Sequence, residues 1–127
     1  WGNNAVNGEL WWFRLDVSGK LGVGVWNGAM IAGKVLHDNQ WHHVAAVLDS
    51  DGTPSINEVK LYIDGQLQTD ATYTSTQAIN TPATGDDVQI GSMLNLGVQS
   101  YFFQGYLDEV QIFNRALSDT EVAGLIR

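Results

Sequence analysis

An all-β chain, two antiparallel sheets packed as a sandwich with a short helix at the C-terminal end, is what this sequence predicts. Short stretches of alternating apolar and polar residues follow one another at close spacing, separated by Gly, Asn, Asp and Ser. That is the pattern of many short strands joined by tight turns. No stretch before Ser118 carries a helical period, which argues against a sheet built from alternating strands and helices. The composition agrees: 16% of residues are charged, with 14 glycines and five tryptophans in 127 residues, a balance that suits strands and turns.

Taken in order, residues 3–8 read as a polar loop. Residues 9–17 alternate, with Trp11, Phe13, Leu15 and Val17 on one side and Leu10, Trp12, Arg14 and Asp16 on the other. After a Ser18-Gly19-Lys20 turn, residues 21–27 set Leu21, Val23 and Val25 against Gly22, Gly24 and Trp26, which predicts a hairpin with an aliphatic core face. Asn27-Gly28 is the next turn signal, followed by a strand over residues 30–36 and a loop over 37–40. Residues 41–49 are apolar on both sides after His43 and predict a central, doubly covered strand. A polar loop to residue 57 precedes a strand over 58–64, a tight Asp64-Gly65 turn and a return strand over 66–69. Residues 72–85 predict an extended surface segment with a weak strand, 88–92 a strand and 93–100 an apolar loop.

The closing stretch from Phe102 to Phe113 alternates again. Tyr106, Asp108, Val110 and Ile112 face one side, and Leu107, Glu109, Gln111 and Phe113 the other, which predicts the final strand. Then the period changes. Ser118 followed by Glu121 is a capping box, in which serine oxygen and glutamate carboxylate each take one orphan backbone N–H. Val122, Leu125 and Ile126 fall on one face of the short helix it starts.

A chain of this size predicts one domain able to bury a core, and 44% apolar residues can supply it. The formal net charge of −8 repels phosphate backbones and anionic membranes, so nucleic-acid partners are disfavoured. No stretch is apolar over enough residues to predict membrane insertion. Without cysteines there are no disulfides or thiolate metal sites. The chain opens on Trp1-Gly2-Asn3-Asn4, with neither an initiator Met nor a signal peptide, and reads as an excised or processed piece of a larger protein.

Candidate sites divide by chemistry. Trp12, Arg14 and Trp26 share a predicted face with two glycines, and His43 and Tyr101 are added to them as candidate ligand-binding residues. Flat aromatic faces bury the apolar faces of sugar rings, and an arginine binds hydroxyls or clamps a carboxylate. The alternative is that these tryptophans are covered by other strands as core. Met93, Leu94, Leu96 and Val98 form either an exposed apolar patch for a partner or a segment tucked under the helix. Asp49-Ser50-Asp51-Gly52 resembles the start of a calcium loop, but its closing position falls on Lys60, so a solvated hairpin loop is expected. Asp86-Asp87 reads as a polar turn. His42 and His43 point to opposite faces of one strand and cannot share a metal from there. No paired carboxylates, cysteine nucleophile or Ser/His/Asp order with local context supports catalysis, so no enzyme is predicted.

Two blocks carry a resemblance. Gly105-Tyr106-Leu107-Asp108-Glu109-Val110 with Asn114-Arg115-Ala116-Leu117-Ser118 resembles the closing segment of laminin-G-like domains of the concanavalin-A-like lectin/glucanase superfamily. Trp41-His42-His43-Val44-Ala45-Ala46-Val47, then Val59-Lys60-Leu61-Tyr62-Ile63-Asp64-Gly65, resembles that family's central hairpin. The resemblance implies a jelly-roll sandwich, and a chain lacking the family's usual N-terminal strands or arranging its strands differently. It implies a structural Ca²⁺ site at Asp108, met by oxygens from an N-terminal segment; the alternative is that Asp108 accepts backbone N–H bonds at a strand end. The glucanases' closely spaced Glu-x-Asp-x-Glu run is missing. The resemblance thus implies a non-catalytic recognition module of a secreted or cell-surface protein, binding glycan. The alternatives are an adhesion or assembly module that binds extracellular protein, and an accessory domain packed on a glycoside hydrolase or other neighbouring domain of the same polypeptide.

Overall fold

The computed structural model describes residues 9–49, 51–81, 88–95 and 98–126. Strands β1 (Trp12–Leu15), β2 (Lys20–Val25), β3 (Gly28–Val35) and β7 (Thr72–Tyr73) form one antiparallel sheet in the order β1-β2-β3-β7. Strands β4 (Val44–Leu48), β5 (Val59–Ile63) and β6 (Gln66–Leu67) form a second, in the order β4-β5-β6. A separate hairpin joins β8 (Met93–Asn95) to β9 (Val98–Ser100), and helix α1 spans Asp119–Gly124. The predicted all-β, two-sheet antiparallel sandwich with a short C-terminal helix is therefore the fold.

Alternation explains the core. Leu21, Val23 and Val25 of β2 with Met30 and Ala32 of β3 meet Val59, Leu61 and Ile63 of β5 across the sandwich, each at most 6% exposed. Ile56 and Ile79 close one border of this layer. Each of these Leu, Val, Ile and Met side chains, fully buried, contributes about 1.5–3 kcal/mol of transfer free energy. Helix α1 covers much of the second face of β4 and β5, leaving Lys60 exposed at its border. Val122 is fully buried against Val47 and Tyr62, flanked by Ala45, Ala116 and Leu117. The Tyr62 hydroxyl donates to Asp119 Oδ1 at 2.7 Å; burial, and then this carboxylate, push its pKa up to about 12.

The turns follow their residues. Asp16 Oδ1 accepts from the Ser18 and Lys20 backbone N–H at 2.8 and 3.0 Å, which shapes the β1–β2 turn. Asp64 and Gly65 both take left-handed backbone, φ +52° and +74°, as a two-residue hairpin turn between twisted strands requires. The capping box is present: Glu121 N–H donates to Ser118 Oγ at 3.3 Å, and Ser118 N–H donates to Glu121 Oε2 at 2.8 Å.

Several expectations are corrected. The β2–β3 turn is Trp26-Asn27, not Asn27-Gly28. Gly28 is paired opposite Val25, and its missing side chain makes room for Ser75, whose Oγ would lie 2.6 Å from a Cβ there. Strand β4 is covered on both faces as expected, yet it is an edge rather than a central strand among the described residues. Residues 88–92 form no strand, while the predicted loop over 93–100 is the β8–β9 hairpin, with Met93 opposite Ser100. The predicted closing strand over 102–113 forms no ladder with any described residue, and its side chains are exposed. Its extended run is broken at Glu109, whose φ is +51° and whose N–H binds the preceding Asp108 carboxylate at 2.8 Å. Residues 3–8, Leu96 and Asp86-Asp87 lie outside the described residues.

Candidate functional site

On the sheet face turned away from the core, the register sets Trp12 opposite Gly24 and Arg14 opposite Gly22. Both glycines serve close approach: a Cβ at Gly24 would stand 2.3 Å from Trp12 Cζ2, and one at Gly22 would stand 3.4 Å from Cζ3. The indole therefore lies against bare backbone. Above it, the exposed Arg14 guanidinium carbon sits 4.2 Å from the ring centroid, a cation–π stack.

The other predicted ligand residues are dispersed. Trp26 is at the tip of the β2–β3 hairpin and 53% exposed, so it is not core. His43 stands at the head of β4 in the opposite sheet, where its N–H donates to Asp64 Oδ1 at 3.2 Å; its ring Nδ1 is buried without a hydrogen-bond partner. Tyr101 follows β9, 65% exposed. The structure thus joins Trp12 with Arg14 and leaves Trp26, His43 and Tyr101 elsewhere. Asp108 is exposed, with one carboxylate oxygen held by Glu109 N–H. Calcium takes six to eight oxygens, and no group of three His, Asp or Glu that could hold a metal ion occurs among the described residues. The described surroundings of Asp108 do not by themselves fit the ion, and the N-terminal segment expected to complete the set lies outside them.

A different site emerges where the loop before β4 meets the segment after β9. Here a cleft of about 500 Å³ falls within the size range of small-ligand sites. Trp41, Phe103 and Tyr106 give it aromatic walls; Asn39, Gln40 and Gln104 bring amides that both donate and accept hydrogen bonds. Among the described residues its lining holds no carboxylate, whereas glycoside hydrolysis needs two. Trp41 and Tyr106 face one another with ring centroids 6.5 Å apart and planes tilted by 37°.

Charged residues behind the cleft hold its wall. The His42 ring bridges two carboxylates, Nδ1 to Asp64 Oδ2 at 2.9 Å and Nε2 to Asp38 Oδ1 at 3.1 Å. Lys34 Nζ joins Asp64 at 3.1 Å, and Asp38 also accepts from Gln40 N–H at 2.9 Å. The hydrogen bond to Asp64 raises the His42 pKa, against burial and with help from Asp38. Burial pushes the Asp64 carboxyl up, but the bonds from His42 and Lys34 outweigh it and hold it below the ordinary value. Residues 38–42 are thereby fixed with Trp41 turned outward, 69% exposed.

The sequence reading missed this cleft because its walls are far apart in the chain. The available signal was Trp41 and Gln40 preceding a strand, with Phe103, Gln104 and Tyr106 in an aromatic run.

Among protein families, a laminin G-like model, described as the concanavalin A-like lectin/glucanases superfamily, matches residues 1–123. No curated protein matches significantly. Among solved structures, an S-layer domain-containing protein from Clostridium thermocellum is similar at 22% identity, over 98% of this chain and 66% of that one, with a TM-score of 0.43. This chain thus spans just under two thirds of that neighbour.

Proposed function

Because the chain belongs to the concanavalin A-like lectin/glucanases superfamily, we propose that it is a non-catalytic recognition module that binds carbohydrate, within a secreted or cell-surface protein. One observation carries the reading: the cleft whose aromatic walls, Trp41, Phe103 and Tyr106, stand beside uncharged amides. Aromatic faces bury the C–H faces of a sugar ring, and side-chain amides match its hydroxyls as both donors and acceptors. A lining without carboxylates among the described residues suits holding a neutral saccharide rather than cleaving it.

The test is a titration of tryptophan fluorescence and melting temperature against a panel of neutral polysaccharides, each with Ca²⁺ and with EDTA. Saccharide-dependent quenching that Trp41→Ala abolishes, with an unchanged melting temperature, is expected. Absence of binding to every polysaccharide would overturn the reading. In the same series, a Ca²⁺-dependent rise in melting temperature that Asp108→Ala removes would make Asp108 a metal ligand; superimposable curves in Ca²⁺ and EDTA would rule that out.

A second reading, binding of an extracellular protein, is favoured by the segment between residues 101 and 113. Tyr101, Phe102, Tyr106, Val110 and Ile112 are each at least 55% exposed there. A contiguous apolar run on a surface is a common mark of a protein partner.

A further inference from the structure

We propose that Arg14, seated on Trp12, is a second saccharide contact, and that it recognises the carboxylate of an acidic sugar residue. The inference rests on the carbohydrate reading above but on a different surface. The Trp12 indole packs closely on the backbone at Gly22 and Gly24, and the guanidinium stands over its ring, 4.2 Å from the centroid. A neutral sugar ring would have to displace Arg14 before it could stack there. The tryptophan is thus a pedestal, and the group it presents to solvent is the guanidinium.

That guanidinium makes no ion pair among the described residues, whereas Lys34 and Arg115 are both paired to carboxylates. Asp16, the first residue past β1, spends Oδ1 on the Ser18 and Lys20 backbone N–H. A planar fork with free donors matches a carboxylate through two parallel hydrogen bonds.

The net charge of −8 limits the ligand further. A contact of about 3 Å lies well inside the screening length of about 8 Å at physiological salt, while charges beyond that length are largely screened. A single carboxylate can meet Arg14 at contact, but a dense polyanion also brings its charges close to the protein's other acids. The ligand class is therefore a largely neutral glycan with sparse uronic acid residues.

The test uses xylan bearing sparse glucuronic acid branches, the same polymer after reduction of its carboxyl groups, and polygalacturonate as the dense polyanion. Affinity electrophoresis and calorimetry are run on the whole chain at physiological salt. The acidic xylan should bind about tenfold more tightly than its reduced form, the size of one charge-assisted contact. Arg14→Gln should erase that preference, and Arg14→Lys should keep only part of it, with melting temperatures confirming that both variants fold. Trp41→Ala should weaken both xylans equally. Equal binding of native and reduced xylan, or binding of neither, would overturn this proposal; the carbohydrate reading falls only if every polysaccharide of the neutral panel fails to bind as well. Tighter binding of polygalacturonate, or displacement of xylan by an acidic peptide at equal concentration, would overturn the ligand class.

Discussion

Asp64 accepts hydrogen bonds from His42, Lys34 and the His43 backbone while sitting in left-handed conformation at a hairpin turn. Its neighbour Gly65 has less freedom still. At φ +74°, a Cβ there would stand 2.6 Å from Ile126 Cδ1 and 3.2 Å from the Ala123 Cα of the helix. Gly65→Ala therefore combines backbone strain with backbone contact and should cost about 1–3 kcal/mol, read from urea denaturation. The His42 bridge sets a pH dependence. Its pKa is raised, so its contribution is complete below the ordinary 6.5 and is lost as pH rises through the raised value. Asp38, held down chiefly by the Gln40 N–H, and Asp64 have lowered values, so theirs are present above the ordinary 3.8 and lost as pH falls through the lowered values. Melting temperature should be highest between those limits and fall by a few degrees towards pH 9; His42→Gln should flatten that alkaline limb. The Asp64-Gly65 turn was legible as a dipeptide. The His42 bridge was not, because Asp38 is close in sequence but Asp64, its other partner, comes from the turn of a different hairpin.

Among the elements, α1 shows how much local chemistry can specify. Its start is written in Ser118 and Glu121, and Arg115 reinforces it with two hydrogen bonds to the glutamate, 2.7 and 3.0 Å long. That guanidinium first, and then Ser118 N–H, lower the Glu121 pKa to about 2. Ser118→Ala should cost about 1 kcal/mol by loss of the cap. Val122→Ala, which empties a fully buried site, should cost about 2 kcal/mol, both measured by thermal and urea unfolding. Strands were legible where one face meets the core, as in Leu21, Val23 and Val25. Alternation misled at residues 102–113, because it reports which side chains could share a side and not whether a partner strand is present. A single left-handed residue, Glu109, is enough to end an extended run.

At the scale of the whole molecule, the core is well covered, while among the described residues the segment over 101–113 leaves apolar side chains exposed. Val110 and Ile112 are 55% and 70% exposed, so replacing both with Lys should change stability by no more than about 0.5 kcal/mol per site. Light scattering should then show less self-association than the parent chain, and any binding through this segment should weaken. A large loss of stability would instead show that the segment belongs to the folded core. The Trp12–Arg14 face was legible because period-two alternation and the glycines lie within one hairpin. The Trp41 cleft required the folded path of the chain to bring residues 39–41 beside residues 103–106. The Tyr62–Asp119 contact gives the molecule a built-in optical clock. With its phenol buried and tied to a carboxylate, this ring loses its proton readily only when the helix swings away from the sheet. After a jump to alkaline pH, the slow component of the phenolate absorbance would count those departures, one ring reporting each time the sandwich loses its lid.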